Sequence, residues 1–437
     1  MLYIYVSEVT KRLEYTLDFI FNGVLRVEYE LTTERESCLY SHQPFINYSE
    51  SAFGSGLWIP SMGLLNEKGI RSFSPKIGQW DSLPSLFPSA DGDIPFDLFS
   101  GVFYLISRYE EYDSTALDKH KRYEFSDSIA FRNNFLQQPL VDEWLMKLKD
   151  LFLAKYPHLK VSTPKYKSVS TIDIDHVYRY LGKSKWLMFT KLVKLLVKLD
   201  FQEAKRMIRV LTYLENDPYL QFANLDRLHR GLACKYIIFI HCGSIGKYDR
   251  KTIYPLITFN NYLRQQNHLH IIGLHPSYRA SFDKLRVETE KKRLEKYLHY
   301  PITYSRHHYL RVRVPESYRM LEQLSIQDEY SMGYAGMYGF RASTCHPFRF
   351  FDINRNEVAK LKIHPTLFMD GSLRFYQSKS PDEALQVGQS LVDKCRAVNG
   401  EFVMLWHNNS VAGMYEWEGW SPVFEKLLVY SSRTIDV

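Results

Sequence analysis

No stretch of this chain reaches the roughly 20 consecutive apolar residues that a helix needs to cross a bilayer, so no transmembrane segment is expected. The opening residues, Met1-Leu2-Tyr3-Ile4-Tyr5-Val6-Ser7-Glu8, place an acid where a secretion signal needs a longer apolar run, and no leader is expected either. Cysteine is sparse and unpatterned. Cys38, Cys234, Cys242, Cys345 and Cys395 show no CxxC spacing, and an odd, scattered set points to free thiols in a reducing compartment. A cytoplasmic location is the expectation. The chain also lacks a basic tail, zinc-finger spacing and an RNA-binding aromatic motif. Its formal net charge of +7 is small for 437 residues, so nucleic acid is not an expected partner. An anionic glycan or an anionic membrane surface stays open.

What is present describes a globular protein: 45% hydrophobic and 24% charged residues. The length favours two domains over a single core. Aromatics reach 15%, with 32 tyrosines, and either a tyrosine-rich core or a carbohydrate-facing surface accounts for them.

Residues 1–165 read as one α+β unit whose role no motif decides. A strand at Leu2–Ser7 precedes a helix with Leu13, Leu17 and Ile20 at helical spacing. A Gly/Pro/Ser-rich stretch runs from Phe53 to Pro95, and Asp97 to Tyr112 then reads as a helix with a wide apolar face. Asp97 is expected as its solvated cap and Arg108 as a surface charge. After a linker near Thr163-Pro164-Lys165, strand and helix signals alternate through residues 166–437. Apolar runs at Lys235–His241, His270–His275, Ile302–Ser305 and Glu401–His407 predict a parallel sheet buried on both faces. Helices are predicted at Phe282–Leu298 and from Ser380, which precedes Pro381, Asp382 and Glu383, to just before Gly400.

Between the first two strands, about residues 182–232, lies a helical insert in which Trp186, Leu187, Phe189, Leu192 and Val193 interleave with Lys185, Lys191, Lys194 and Lys198. Such a helix can rest on an anionic membrane surface. The reading preferred from sequence alone is a helix packed over the barrel with a solvated lysine face.

The segment Thr171-Ile172-Asp173-Ile174-Asp175-His176 carries the most chemistry. It ends an apolar alternation, Val169-Ser170-Thr171-Ile172, that reads as a strand. Side chains two apart on a strand share a face, so Asp173 and Asp175 project together from its C-terminal end. Two carboxylates that close repel unless a proton or cation intervenes, which suggests a divalent metal with a nearby base for activating water. Several further strands end in polar residues, and in (β/α) barrels that end builds the active site.

The order of these motifs resembles the NodB-homology polysaccharide deacetylases over roughly residues 166–430. Nearest is a divergent, Bacteroidetes-type branch with an extra N-terminal domain. The resemblance implies a distorted (β/α) barrel of the NodB type, preceded here by the smaller α+β domain. The family's Thr-Phe-Asp-Asp-Gly strand end is matched by Thr171–Asp175 with one residue inserted between the acids. By position Asp173 is the catalytic base and Asp175 a metal ligand, although the insertion leaves either acid able to take either role. The family's His-x-x-x-His pair is matched by His275-Pro276-Ser277-Tyr278-Arg279, with Arg279 where the second imidazole belongs. Arginine cannot bind a cation, and a catalytic zinc normally takes three protein ligands. His176 is the nearest candidate for the third, with His307 or His308 as further ones.

The family's Arg-x-Pro-Tyr stretch resembles Ser305-Arg306-His307-His308-Tyr309, which implies that Arg306 orients Asp173 through a charge-assisted bond. Asp328–Tyr334 resembles the Asp-x-Ser stretch, and Arg341 follows as a candidate sugar contact or a structural ion pair. The Leu-x-His motif is matched by Leu405-Trp406-His407-Asn408. His407 is then the general acid, its imidazole suited by a value near neutrality, and Tyr278, Trp406 and Asn408 flank the substrate pocket.

The resemblance therefore implies a hydrolase that deacetylates an N- or O-acetylated sugar or glycan precursor through a metal-activated water. Zinc is the first choice of metal, with cobalt, nickel or manganese as alternatives. The other reading is a catalytically impaired barrel serving as a glycan-binding or scaffold protein in polysaccharide biosynthesis. Neither the sugar nor the oligomeric state is legible.

Overall fold

The computed structural model describes residues 1–40, 43–115, 117–244, 246–249 and 270–433. The chain divides into two compact units. The first comprises Met1–Lys167, Leu310–Phe368 and Ser390–Val403, and the second Ser168–Tyr309, Met369–Gln389 and Met404–Val437. Among the described residues no helix is long and apolar enough to cross a membrane, and none of the five cysteines is in a disulfide. Strands are numbered in chain order.

The first unit opens with β1 (Leu2–Val6), β2 (Tyr29–Thr32), β3 (Phe45–Ser49) and β4 (Leu57–Pro60), hydrogen-bonded in the order β2-β1-β3-β4. All three pairings are parallel. That differs from the α+β arrangement expected, because each of the first two connections carries a helix. Lys11–Leu17, continued by a π-helical turn over Asp18–Val24, joins β1 to β2, and Arg35–Tyr40 joins β2 to β3. Parallel strands require such crossovers. The Gly/Pro/Ser-rich stretch holds β4 and an antiparallel hairpin of β5 (Ile77–Trp80) and β6 (Leu83–Leu86).

Asp97 does cap a helix, Leu98–Ile106, but it is fully buried, not solvated. Its carboxylate accepts from the backbone and hydroxyl of Ser100, from the Tyr48 hydroxyl and from the Met62 backbone N–H. Arg108, expected at the surface, is 1% exposed and ion-paired with Glu110 at 2.8 Å and Glu111 at 2.7 Å. Of the two roles open to Arg341, a sugar contact or a structural ion pair, the geometry corresponds to the second. Its Nε and Nη2 donate to Glu111 at 2.9 and 2.6 Å and its Nη1 to the Gly333 carbonyl, which leaves a buried structural ion pair. Burial opposes ionisation of Glu111, yet the guanidiniums of Arg341 and Arg108 hold its carboxyl down at about 2.

The same unit holds β11 (Asp328–Met332), β12 (Phe348–Asp352) and β13 (Glu357–Pro365), in the order β12-β13-β11. His364 on β13 bridges two carboxylates, Glu401 through Nδ1 and Asp328 through Nε2, both at 2.9 Å.

The second unit is built on β7 (Lys167–Ile174), β8 (Cys234–His241), β9 (Ile271–His275) and β10 (Tyr304–Ser305), parallel and adjacent in the order β10-β9-β8-β7. Beside β7 lies β15 (Glu401–His407), whose last four residues belong to this unit. From Ser168 to Ile174 every residue of β7 is buried, as a parallel strand covered on both faces must be. Gly273 on β9 is needed for packing, since a Cβ there would lie 2.5 Å from the Phe239 ring on β8. The predicted helices form at Lys284–Leu298 and Pro381–Ala397. Ser380 and Glu383 exchange side-chain-to-backbone bonds at the second one's start, a reciprocal cap. The insert folds as Lys185–Val197, Phe201–Leu211 and Phe222–His229.

Arg341→Met strips Glu111 of one of its two cations in a dry core. A loss of about 3 kcal/mol is expected, read as a lower urea midpoint. For His364, burial disfavours the charged ring, but the flanking acids raise its proton affinity above the ordinary value. A raised folded value stabilises the protein fully below the unfolded value near 6.5 and less as pH climbs through the folded one. The stability difference between wild type and His364→Gln is therefore expected to shrink above about pH 6.5.

Candidate metal centre

The alternation of β7 sets Thr171 and Asp173 on one face, with Asp175 just past the last strand residue, Ile174. Asp173 is 2% exposed and accepts from Arg306 Nη1 at 3.1 Å. The same Nη1 reaches Thr171 Oγ1 at 2.5 Å, and Thr171 donates to the Met404 carbonyl. The Arg306 guanidinium also lies 4.7 Å from the centre of the Phe239 ring. Asp173 is thus held by a buried cation that is itself fixed on two sides.

Asp175 faces two imidazoles. His275, the last residue of β9, places Nε2 at 3.2 Å from Oδ1, and His308 places Nε2 at 3.4 Å from Oδ2. On each ring the other nitrogen is already committed. His275 Nδ1 lies 2.6 Å from the Arg306 main-chain carbonyl, which can only accept, so the ring's proton is on Nδ1. His308 Nδ1 donates to Asp249 Oδ1 at 3.0 Å. Asp249 is held in turn by the backbone N–H groups of Tyr278 and Arg279, at 2.7 and 3.2 Å, and lies 3.4 Å from His241 Nε2.

Burial pushes His275 below the ordinary imidazole value, so the ring is neutral and its Nε2 lone pair points at a carboxylate oxygen. Two electron-rich atoms 3.2 Å apart in a dry site repel unless a cation lies between them. Donors around a tetrahedral zinc, about 2.0–2.1 Å from the ion, stand about 3.3 Å from one another. The spacings at Asp175 lie near that figure, one imidazole to each oxygen of its carboxylate. Asp175, His275 and His308 form one set of donor atoms all within 4.8 Å of each other, and His241, Asp249 and His308 form a second. The residues present therefore fit a divalent cation.

His407 closes the opposite side. Its Nδ1 donates to Asp370 Oδ1 at 2.7 Å, its backbone N–H to Asp370 Oδ2 at 2.8 Å, and its Nε2 stands 3.9 Å from Asp175 Oδ2. Ser410 donates to the same Asp370 carboxylate. Burial opposes charge on His407, but Asp370, Asp175 and Asp173 outweigh it and raise the ring to about 10. Burial also opposes charge on Asp175, and the surrounding imidazoles of His308, His275 and His407 hold it well below the usual carboxylate range.

Residues 2–157 match a family of unknown function, DUF7033. None of the curated proteins matches the chain. Among solved structures, the chain is similar to a candidate polysaccharide deacetylase from Mycobacterium smegmatis, 12% identical over 61% of this chain and 83% of that one, with a TM-score of 0.39. A mutant of BA3943, a CE4-family pseudoenzyme with restored enzymatic activity, is 8% identical over 64% of this chain and 79% of that one, with a TM-score of 0.29. A candidate glycoside hydrolase/deacetylase from Parabacteroides distasonis is 10% identical over 61% and 66%, with a TM-score of 0.33. At these levels the site is read from its own geometry.

The geometry gathers Asp173, Asp175, His275, Arg306 and His407 but reassigns other positions. His176 belongs to neither donor set. It follows Asp175 directly where the strand has ended, and its main-chain carbonyl accepts from Asn408 Nδ2 at 2.8 Å. Of the three candidates named for the third imidazole, it is His308 that faces Asp175 and His275. Trp406 alternates with His407 on β15, so its ring is buried on the other face of the strand, 5.3 Å from Phe424 and 6.2 Å from Trp420. Asn408 spends its amide on the carbonyls of His176 and Tyr219, tying two loops together. Tyr278 is half-buried and forms an aromatic group with Tyr248 and Tyr309, at centroid distances of 4.4 and 5.5 Å. Arg279 is exposed.

Sequence reasoning missed His241, Asp249 and Asp370. His241 closes an apolar strand as His275 and His407 do, and that pattern would have found it. Asp370 follows a strand of two residues, Phe368–Met369, too short for any periodicity to register. Asp249 lies in a loop with no local signal. Removing its carboxylate frees the His308 ring to turn. Asp249→Asn is expected to weaken metal affinity about 10- to 100-fold, measured by competition with a chromophoric chelator.

Proposed function

We propose that this protein is a metal-dependent hydrolase that removes an acyl group, acetyl foremost, from an amide or ester on a sugar or glycan precursor. The observation that carries the reading is the pair of imidazole Nε2 atoms converging on Asp175 at 3.2 and 3.4 Å with both Nδ1 positions already engaged. A divalent cation held by Asp175, His275 and His308, zinc foremost and cobalt, nickel or manganese as alternatives, supplies Lewis acidity toward the acyl carbonyl and lowers the pKa of water. Three protein donors leave a position open for chemistry, as catalytic sites require.

Asp173 acts as the base. Arg306 holds its carboxylate in place through a charge-assisted bond, and its second oxygen lies 3.8 Å from His275 Nε2, beside the donor set and outside it. It takes the proton of the attacking water. His407, oriented by Asp370, carries a proton on Nε2 and delivers it to the departing nitrogen or oxygen. The half-buried tyrosines 248, 278 and 309 stand next to His308, with the Tyr309 ring 4.6 Å from it, and offer the flat faces against which sugar rings pack.

The decisive measurement is acetate release from a panel of acetylated sugar nucleotides and glycans, paired with elemental analysis. Asp173→Asn and His407→Gln are each expected to lose about a hundredfold or more in kcat while retaining metal, and Asp175→Ala to lose both. Turnover unaffected by chelation would sink the proposal. Stoichiometric metal without turnover on any substrate would favour the glycan-binding reading.

A further inference from the structure

The helical insert of the second unit has two apolar faces, and only one of them is used. Met188 packs with Tyr180, Met207 and Val210, with Leu192 and Leu195 alongside, and this joins the helices Lys185–Val197 and Phe201–Leu211 into a hairpin. The opposite stripe, Trp186, Phe189, Val193, Leu196 and Val197, recurs at helical spacing and faces outward. Trp186 is 73% exposed, Phe189 57% and Val197 78%. Exposed apolar side chains of this size rarely lie contiguous on a soluble surface without a partner.

The charge on the hairpin says which partner. Residues 183–211 contain eight Lys or Arg and two acids, a net of +6 within a chain whose whole net charge is +7. One of the acids, Glu203, is buried against Arg179. Lys185 borders the apolar stripe on one side and Lys194 and Lys198 on the other, and all three are exposed. An outward apolar stripe with a tryptophan, rimmed by lysines and too short to span, is the pattern of a helix lying in the headgroup layer of an anionic membrane. A second copy of the chain is disfavoured, because pairing the stripes would bring their rims of Lys185, Lys194 and Lys198 face to face.

We propose that this hairpin is a docking face for an anionic lipid bilayer. The inner face of the insert packs against its own second helix and Tyr180. The proposal does not rest on the metal centre and stands or falls without it.

The test uses the full-length protein in co-sedimentation with phosphatidylcholine vesicles, with and without phosphatidylglycerol. Binding is expected only where phosphatidylglycerol is present, and is expected to weaken as salt rises. Lys194→Gln with Lys198→Gln is expected to lower the partition coefficient about thirtyfold. Trp186→Ser with Phe189→Ser is expected to abolish binding. An unchanged thermal midpoint and far-ultraviolet circular dichroism in these variants show that the fold survives. Equal binding to neutral vesicles, no binding to either kind, or variants that bind like wild type would overturn the proposal. So would concentration-dependent self-association that disappears in Trp186→Ser/Phe189→Ser, which would assign the stripe to a second copy.

Discussion

One carboxylate organises the second unit's chemistry. Asp175 sits where two buried imidazoles converge, and neither ring can turn away, because a main-chain carbonyl fixes one and the Asp249 carboxylate the other. Burial opposes charge on His308, but Asp175 and Asp249 on either side of it outweigh that and raise the ring to about 9. The lone-pair repulsion is therefore confined to His275 Nε2 facing the Asp175 carboxylate. The parallel sheet beneath supplies the rigidity that maintains this arrangement. Asp175 and His275 follow from β7 and β9, which flank β8, and the packed interior of these strands leaves their ends little freedom.

The position of the third imidazole shows how such a centre tolerates change. The resemblance places it four residues after His275, where Arg279 stands, exposed. His308 reaches the same carboxylate from the end of the neighbouring strand β10. The two loops remain connected, since the backbone of Tyr278 and Arg279 holds Asp249 and Asp249 holds His308. A short stretch of main chain that would otherwise carry a donor here braces the support of one.

Much of the second unit was legible in the sequence because its signals are local. The apolar run ending in His407, the Ser380–Glu383 cap and the two-residue spacing of Asp173 and Asp175 each depend on neighbours in the chain. What failed to read across were directions and distant partners. Trp406 and Asn408 looked like pocket residues from their adjacency to His407, whereas strand alternation turns the indole into the core and the amide is spent on main-chain carbonyls. His176 was favoured by proximity in sequence to the two acids, while the turn after His308, where Tyr309 adopts φ 64°, has no glycine to announce it. In the first unit, Asp97 read as a surface group because Tyr48 and Met62, two of its partners, lie 49 and 35 residues away. Arg108 instead pairs with its near neighbours Glu110 and Glu111, and only its burial went unannounced.

Arg306 serves the site twice, and through chemically different parts. Its guanidinium steadies Asp173, while its main-chain carbonyl sets the tautomer of His275. A carbonyl belongs to every amino acid, so a replacement at this position could silence the base and leave ion binding intact. Descendants of such a chain could shed turnover in a single step yet keep a folded, ion-loaded receptor, a short evolutionary route from catalyst to sensor.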